Sequence, residues 1–290
     1  MTAGFTLLLV QSCALLSGAS DSVFARAESF AVLSAGGVSN TGDSKVFGDP
    51  GAASGATITG FPPGAVSGGL IYSGGPAVFQ AHMAARAVYS RLKSFSALPI
   101  ASVTEGTLDG FRLGPGVYRL DGAARLSGTL RLDAHNEDHV VFVFQIRTTL
   151  TTAPGAIVAL INPGRGDTVY WQVGGSVTLA QRTSFEGNIL ARGSVTLNNG
   201  ASIQCGRVLT LTGAVVMNRN AVSIACASPE PPVRDYTDTF ITSGISPGIY
   251  VPLPEPVGVG SSPEPGTFWL ASIGVAVGIA VRLYRSQHSR

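Results

Sequence analysis

The chain has 290 residues, a formal net charge of +2 and only 12% charged residues, with 37 glycines. So little charge is unusual in a cytosolic protein and ordinary in an exported, β-rich one. No Lys/Arg run exists to form a phosphate-binding stripe, so no nucleic-acid partner is expected.

In chain order, the apolar run 5–16 followed by Ala25-Arg26-Ala27 reads as a secretory signal peptide, residues 1–27, cut after Ala27. From 30 to 71, short apolar pairs alternate with Gly, Ser, Asn and Pro corners, as in Ala31-Val32-Leu33, Val46-Phe47-Gly48 and Thr57-Ile58-Thr59. The period then changes. Ala77, Ala81, Ala84, Val88, Leu92 and Phe95 recur every three or four residues, which predicts one amphipathic helix opened by Pro76 and stopped before Pro99. His82 on this helix is expected to be partly packed.

Strands resume after the helix. Residues 140–146 are apolar on both alternating faces, so this strand is expected to face a core on one side and the helix on the other. In Val169-Tyr170-Trp171-Gln172-Val173, by contrast, Tyr170 and Gln172 are free to face water. Three further stretches nearly repeat one another: Gly175-Ser176-Val177-Thr178-Leu179, Gly193-Ser194-Val195-Thr196-Leu197 and Gly213-Ala214-Val215-Val216-Met217. Their starts lie 18 and then 20 residues apart, a period that marks a β-solenoid. Cys205 and Cys226, separated by 21 residues or about one coil, are read as a structural disulfide between neighbouring coils. Two cysteines without a neighbouring His do not make a metal site.

Residues 228–262 form a Pro-rich linker carrying Pro229, Pro231, Pro232, Pro247, Pro252, Pro254 and Pro256. Beyond it the nearly all-apolar run 267–284 has the length of a transmembrane helix, with Arg282, Arg285 and Arg290 as its basic tail. Catalytic constellations find little support. His135-Asn136-Glu137-Asp138-His139 lacks the His-Glu-x-x-His order of a zinc helix and reads as a solvated loop. No nucleophile elbow occurs, and Glu105, Asp109 and Asp121 stand at turns with nothing pairing them. The reading is non-enzymatic, with no cofactor and no metal.

Two resemblances follow from particular residues. Pro263-Glu264-Pro265, placed just before the terminal apolar run and its arginines, resembles the Pro-Glu-Pro sorting tail of Gram-negative bacteria. That resemblance implies an exosortase-type processing partner, transient anchoring in the membrane by the segment 263–290, and release to the cell surface or extracellular matrix. The body, 28–227, resembles the bacterial and fungal ice-binding family. The matching blocks include Phe30-Ala31-Val32-Leu33, Asn40-Thr41-Gly42, Gly48-Asp49-Pro50-Gly51, Thr59-Gly60-Phe61-Pro62-Pro63-Gly64 and Leu113-Gly114-Pro115-Gly116-Val117-Tyr118. Further blocks are Phe142-Val143-Phe144-Gln145-Ile146, Leu150-Thr151-Thr152-Ala153-Pro154-Gly155, Trp171-Gln172-Val173-Gly174 and Gly206-Arg207. This implies a mostly β fold, a right-handed triangular β-solenoid with one long α-helix packed alongside, and adsorption to an ice crystal surface.

Ice binding needs a flat face of regularly spaced small hydroxyls and methyls, for which Thr with its stiff χ1 is well suited. The family's Thr-(Ala/Gly)-x-(Thr/Asn) motif is approached at Ser54-Gly55-Ala56-Thr57, Gln181-Arg182-Thr183-Ser184, Asn199-Gly200-Ala201-Ser202 and Arg219-Asn220-Ala221-Val222. The resemblance therefore gives Ser54, Thr57, Thr59, Thr183, Ser184, Asn199 and Ser202 as ice-binding candidates, with the bulky Arg182 and Arg219 as departures from the pattern. A second Thr-bearing face is open to Thr148, Thr149, Thr151, Thr152, Thr178, Thr196, Thr210 and Thr212. The alternative function is a surface or matrix adhesin on the same scaffold, without affinity for ice.

Overall fold

A three-residue apolar–polar–apolar run between tight corners is too short to be stable alone, and it finds its backbone partners in the same run one coil away. In the computed structural model, which describes residues 23–96 and 106–226 and the backbone of Leu98–Pro99 between them, this repeats through three parallel sheets. Each full coil gives one strand to each sheet in turn.

The largest sheet has the spatial order Tyr72–Ser73, Asp49–Ala52, Phe30–Ser34, Val208–Thr210, Asn188–Ala191, Thr168–Val173, Val141–Ile146, Gly116–Leu120 and Leu98–Pro99. The stack is thus discontinuous in sequence. Val32 and Leu33 of the first strand pair with Val208 and Leu209 near the C-terminal end of the body, so the N-terminal coils continue the pile that the C-terminal coils began. The helix, Pro76–Ser94, carries the chain back along this sheet from one end of the pile to the other. Its 19 residues span about 28 Å of the roughly 38 Å covered by the nine strands, so the helix makes most of the return and the segments flanking it make the rest.

Two cores result. Inside the coils, the same inward position on successive strands stacks ring on ring, since coils lie about 4.8 Å apart. Tyr118, Phe144 and Trp171 are register partners, with centroids 5.4 and 4.1 Å apart, and Phe185 closes the column at 4.9 Å from Trp171. The Trp171 indole N–H is satisfied by the Glu186 carbonyl at 3.0 Å. The second core lies between the helix and the outer side of its sheet: Val78, Ala81, Ala85, Val88 and Leu92 bury against Leu33, Val117, Val141, Val143, Leu190 and Leu209. The strand Val141–Ile146 is buried at every residue, facing the coil interior with Phe142, Phe144 and Ile146 and the helix with Val141 and Val143, as its doubly apolar pattern predicts.

Two details differ from the sequence reading. The helix buries Val78, Ala81, His82, Ala85, Val88 and Leu92, while Ala77 is exposed and Ala84 half-buried. A stripe rotated by one residue places the larger Val78 in the core. Tyr170 and Gln172 do not face bulk water; each is 4% exposed, because the helix and the segment before the first strand cover that side of the sheet.

That preceding segment is itself packed. Phe24 and Ala27 are buried in the helix-side core, with the Phe24 ring 5.8 Å from Tyr170 and 4.1 Å beneath the Arg207 guanidinium. Arg207 also donates to the Glu28 carbonyl at 3.1 Å. A chain cut after Ala27, the site expected from its Ala-x-Ala pattern, would lose these contacts. Cys205 and Cys226 are bonded, each just beyond one of two paired strands, Ser202–Gln204 and Ala221–Ser223. Closing the 21-residue loop contributes about 3 kcal/mol on the chain-entropy estimate. The signal segment up to residue 22, the linker 228–262, Pro263-Glu264-Pro265 and the run 267–284 lie outside the described residues. Among those described, no helix is long and apolar enough to cross a membrane.

Candidate functional site

Which side chains a solenoid shows to the outside is decided by strand parity. In the second sheet the strands, in spatial order, are Ala124–Leu126, Leu150–Thr152, Val177–Leu179, Val195–Leu197, Val215–Asn218, Val38–Thr41 and Ile58–Thr59. In most of them two apolar residues point inward and the residue between points out. The outward column therefore reads Arg125, Thr151, Thr178, Thr196, Val216, Ser39 and Thr59. Consecutive members are register partners in every case.

A second outward column lies two residues earlier, just before six of the seven strands: Thr149, Ser176, Ser194, Ala214, Gly37 and Thr57. Hydrogen bonds from one coil to the next fix their stacking. Leu150 N–H donates to the Ser176 carbonyl, Val177 to Ser194, Val195 to Ala214, Val215 to Gly37 and Val38 to Thr57, all at 2.9–3.1 Å. The two columns make a grid with a repeat of about 4.8 Å between coils and about 6.6 Å along the strand. Its members are small hydroxyls, methyls and one glycine, with Arg125 closing one end. The parallel pairing runs through this sheet without a bulge.

The third sheet presents a different surface. Its outward columns are Thr129, Ile157, Ser184, Ser202, Ala221, Lys45 and Ala65, then Arg131, Ala159, Glu186, Gln204, Ser223, Phe47 and Ser67. Size and charge vary from rung to rung, so no flat repeat is formed. Burial pushes the Glu186 carboxyl up to about 7, and among the described residues no cation pairs with it. A carboxyl protonated more easily folded than unfolded adds stability below the unfolded value, and that stability is lost as pH rises through about 7. Thermal unfolding between pH 4.5 and 8 should show this group weakening the fold by about 1–2 kcal/mol as pH rises. Glu186→Gln should flatten that slope and raise the melting temperature at pH 8; an unchanged slope would show that the carboxylate is adequately solvated.

The motif-derived candidates are dispersed by this geometry. Thr57 and Thr59 join the second-sheet grid. Ser184 and Ser202 are register partners in the third sheet. Asn199 is exposed at the corner between the two sheets, its carbonyl accepting from Arg182 N–H. Ser54 sits at the opposite corner beside the helix residues Val78 and His82. Thr183 is fully buried, its hydroxyl 2.7 Å from that of Thr152 and donating to the Ala180 carbonyl, so it cannot touch anything outside. Of the second Thr-bearing set, Thr149, Thr151, Thr178 and Thr196 are in the grid and Thr148 and Thr212 at its edge. Thr152 and Thr210 are buried and hydrogen-bonded.

Arg182 and Arg219 have positive φ at the corner between the second and third sheets. They occupy neither outward column. Arg219 lies across Gly42 of the next coil, where an added Cβ would come within 2.7 Å of its Cγ, and reaches Asp43 at 3.5 Å. Arg182 lies over Gly200 in the same way. The two cations therefore follow the corner.

Thr178, Thr196 and Val216 of the grid were legible in the sequence as the residue between two apolar residues of each near-repeat. The loop 135–139 is an exposed turn with left-handed His135, Asn136 and His139. Asp133 beside it accepts from Asn162, Arg112 and the His135 N–H, which hold its carboxyl down at about 2. Among the described residues no cluster could hold a metal ion.

Residues 32–223 match the family model described as ice-binding-like. A protein named ice-binding protein from Nostoc sp. (strain HG1) is 41% identical over 208 residues, covering 72% of this chain and 76% of its own. One of the same name from Flammulina populicola is 31% identical over 240 residues, covering 75% and 94%. The crystal structure of an ice-binding protein from the Antarctic ascomycete Antarctomyces psychrotrophicus superposes with a TM-score of 0.65 at 33% identity, over 70% of this chain and 98% of that one. The match covers most of the described solenoid in sequence and superposes with it in space, and the chain belongs to the ice-binding-like family.

Proposed function

We propose that this protein adsorbs to ice through the second sheet of a right-handed triangular solenoid and so inhibits crystal growth or recrystallisation, without cofactor or catalysis. The observation that carries the reading is the in-register column Thr151, Thr178, Thr196, Val216, Ser39 and Thr59. Stiff β-branched side chains hold each hydroxyl and methyl in one orientation, and the rigid coil spacing repeats that orientation. Water held over such a surface is ordered before it meets the crystal, so adsorption costs little further ordering. Ice growing between adsorbed molecules must bow outward, and a curved front melts more easily than a flat one. The relatives' names point the same way.

Export is part of this reading: an N-terminal leader ending before Val23 would direct secretion, and the tail 263–290 with Pro263-Glu264-Pro265 would serve exosortase-type processing after a brief stay in the membrane. The test uses the full chain. It should partition into a slowly growing ice hemisphere and produce thermal hysteresis; rejection from the ice with no hysteresis would leave a surface adhesin in its place.

A further inference from the structure

Where the helix ends, its last turn and the corner between the helix-side and second sheets enclose a groove of about 470 Å³. It shares no lining residue with the threonine grid. Its rim is cationic, with Lys93 from the helix and Arg119, Arg147 and Arg192 from the coils; the one carboxylate among the described lining residues, Asp121, is 3.3 Å from Arg119. Arg147 and Arg192 stand two coils apart, about 9.5 Å, because Gly174 occupies the rung between them. A Cβ at Gly174 would lie 2.1 Å from the Arg147 carbonyl oxygen, so that rung stays bare.

The floor holds a second observation. Gln145 and Gln172 are register partners in adjoining strands. The Gln145 amide donates to the Leu92 and Phe95 carbonyls at 2.7 and 2.9 Å and so caps the helix. The Gln172 amide, on a residue only 4% exposed, lines the groove and makes no hydrogen bond with any described residue. Its amide atoms are not sealed from solvent; they reach the space bounded by guanidinium groups and the half-buried Tyr89 ring, where water or a ligand can pair them.

We infer that this groove binds an acidic sugar, a carboxylate- or sulfate-bearing unit of an anionic polysaccharide. Spaced guanidinium groups suit carboxylates and sulfates on successive units. An amide that both donates and accepts suits sugar hydroxyls, and an aromatic ring suits the C–H face of a pyranose. The volume admits sugar rings and far exceeds what a bare anion fills. A nucleic acid would need a longer basic track than one corner provides. The proposal is independent of ice adsorption and concerns a different surface.

The test is calorimetric titration of the full chain above freezing, at low ionic strength, with a mannuronate tetramer, a neutral mannose tetramer of the same linkage, a sulfated disaccharide and inorganic sulfate. The acidic sugars should bind at least about tenfold more tightly than the neutral one. The exposed double variant Arg147→Gln/Arg192→Gln should lose about tenfold of that affinity while keeping its ice activity. Tighter binding of the uronate than of the sulfated sugar, or the reverse, identifies which acidic group is read. Equal affinity for the neutral tetramer, full affinity in the double variant, or sulfate binding as tightly as the sugars would each overturn the assignment.

Discussion

Thr178→Tyr and Thr196→Tyr are each expected to lower thermal hysteresis by at least about tenfold while shifting unfolding free energy by no more than about 0.5 kcal/mol. Both residues lie in the middle of the outward column of the second sheet, paired with one another and flanked by Thr151 and Val216. A tyrosine there adds a ring standing proud of the grid and lifts the neighbouring rungs away from the crystal. Stability should hold because the outward side chains do not join either core. Ser202→Tyr, made in the third sheet, is the control and should retain activity. Nanolitre osmometry with parallel thermal melts decides the matter. Loss of activity in the Ser202 variant with retention in both threonine variants would move the ice-facing surface to the third sheet.

Phe24→Ala should cost about 3 kcal/mol, a large fraction of the stability of a domain this size. Phe24 sits 4% exposed between Tyr170 and Arg207, and Ala27 is fully buried beside it. Truncating the ring leaves a void and leaves Arg207 over nothing. The same contacts bear on export. If the secreted chain is to keep this stability, its leader must be removed before Val23, and mass analysis of the N-terminus from culture medium should find Phe24 still present. A secreted, fully stable chain beginning at Glu28 would show that these contacts are dispensable.

Much of the fold was readable because its units are local. The alternation around Val177, Thr178 and Leu179 and its near-repeats fix which side of each strand is inward, and the doubly apolar strand Val141–Ile146 announces two neighbours. The change to a helical period at Pro76 is equally local, as is the spacing of Cys205 and Cys226 by one coil. The corner-based candidates were harder to place. Thr183 lies one residue from Ser184, yet one is sealed into a hydroxyl pair with Thr152 and the other is half-exposed.

By itself the sequence determined the period, the helix and the disulfide, since each depends on residues within about one coil of one another, and the family, through short blocks kept in order from Phe30 to Arg207. Only the tertiary structure decided that Phe30–Ser34 lies against Val208–Thr210, and hence that Ser39 and Thr59 extend the column of Thr151, Thr178 and Thr196 into one surface. Any parallel strand of matching parity could have taken that place. The helix settled the choice: it returns the chain along the whole pile and leaves the first coil at the free edge of the last.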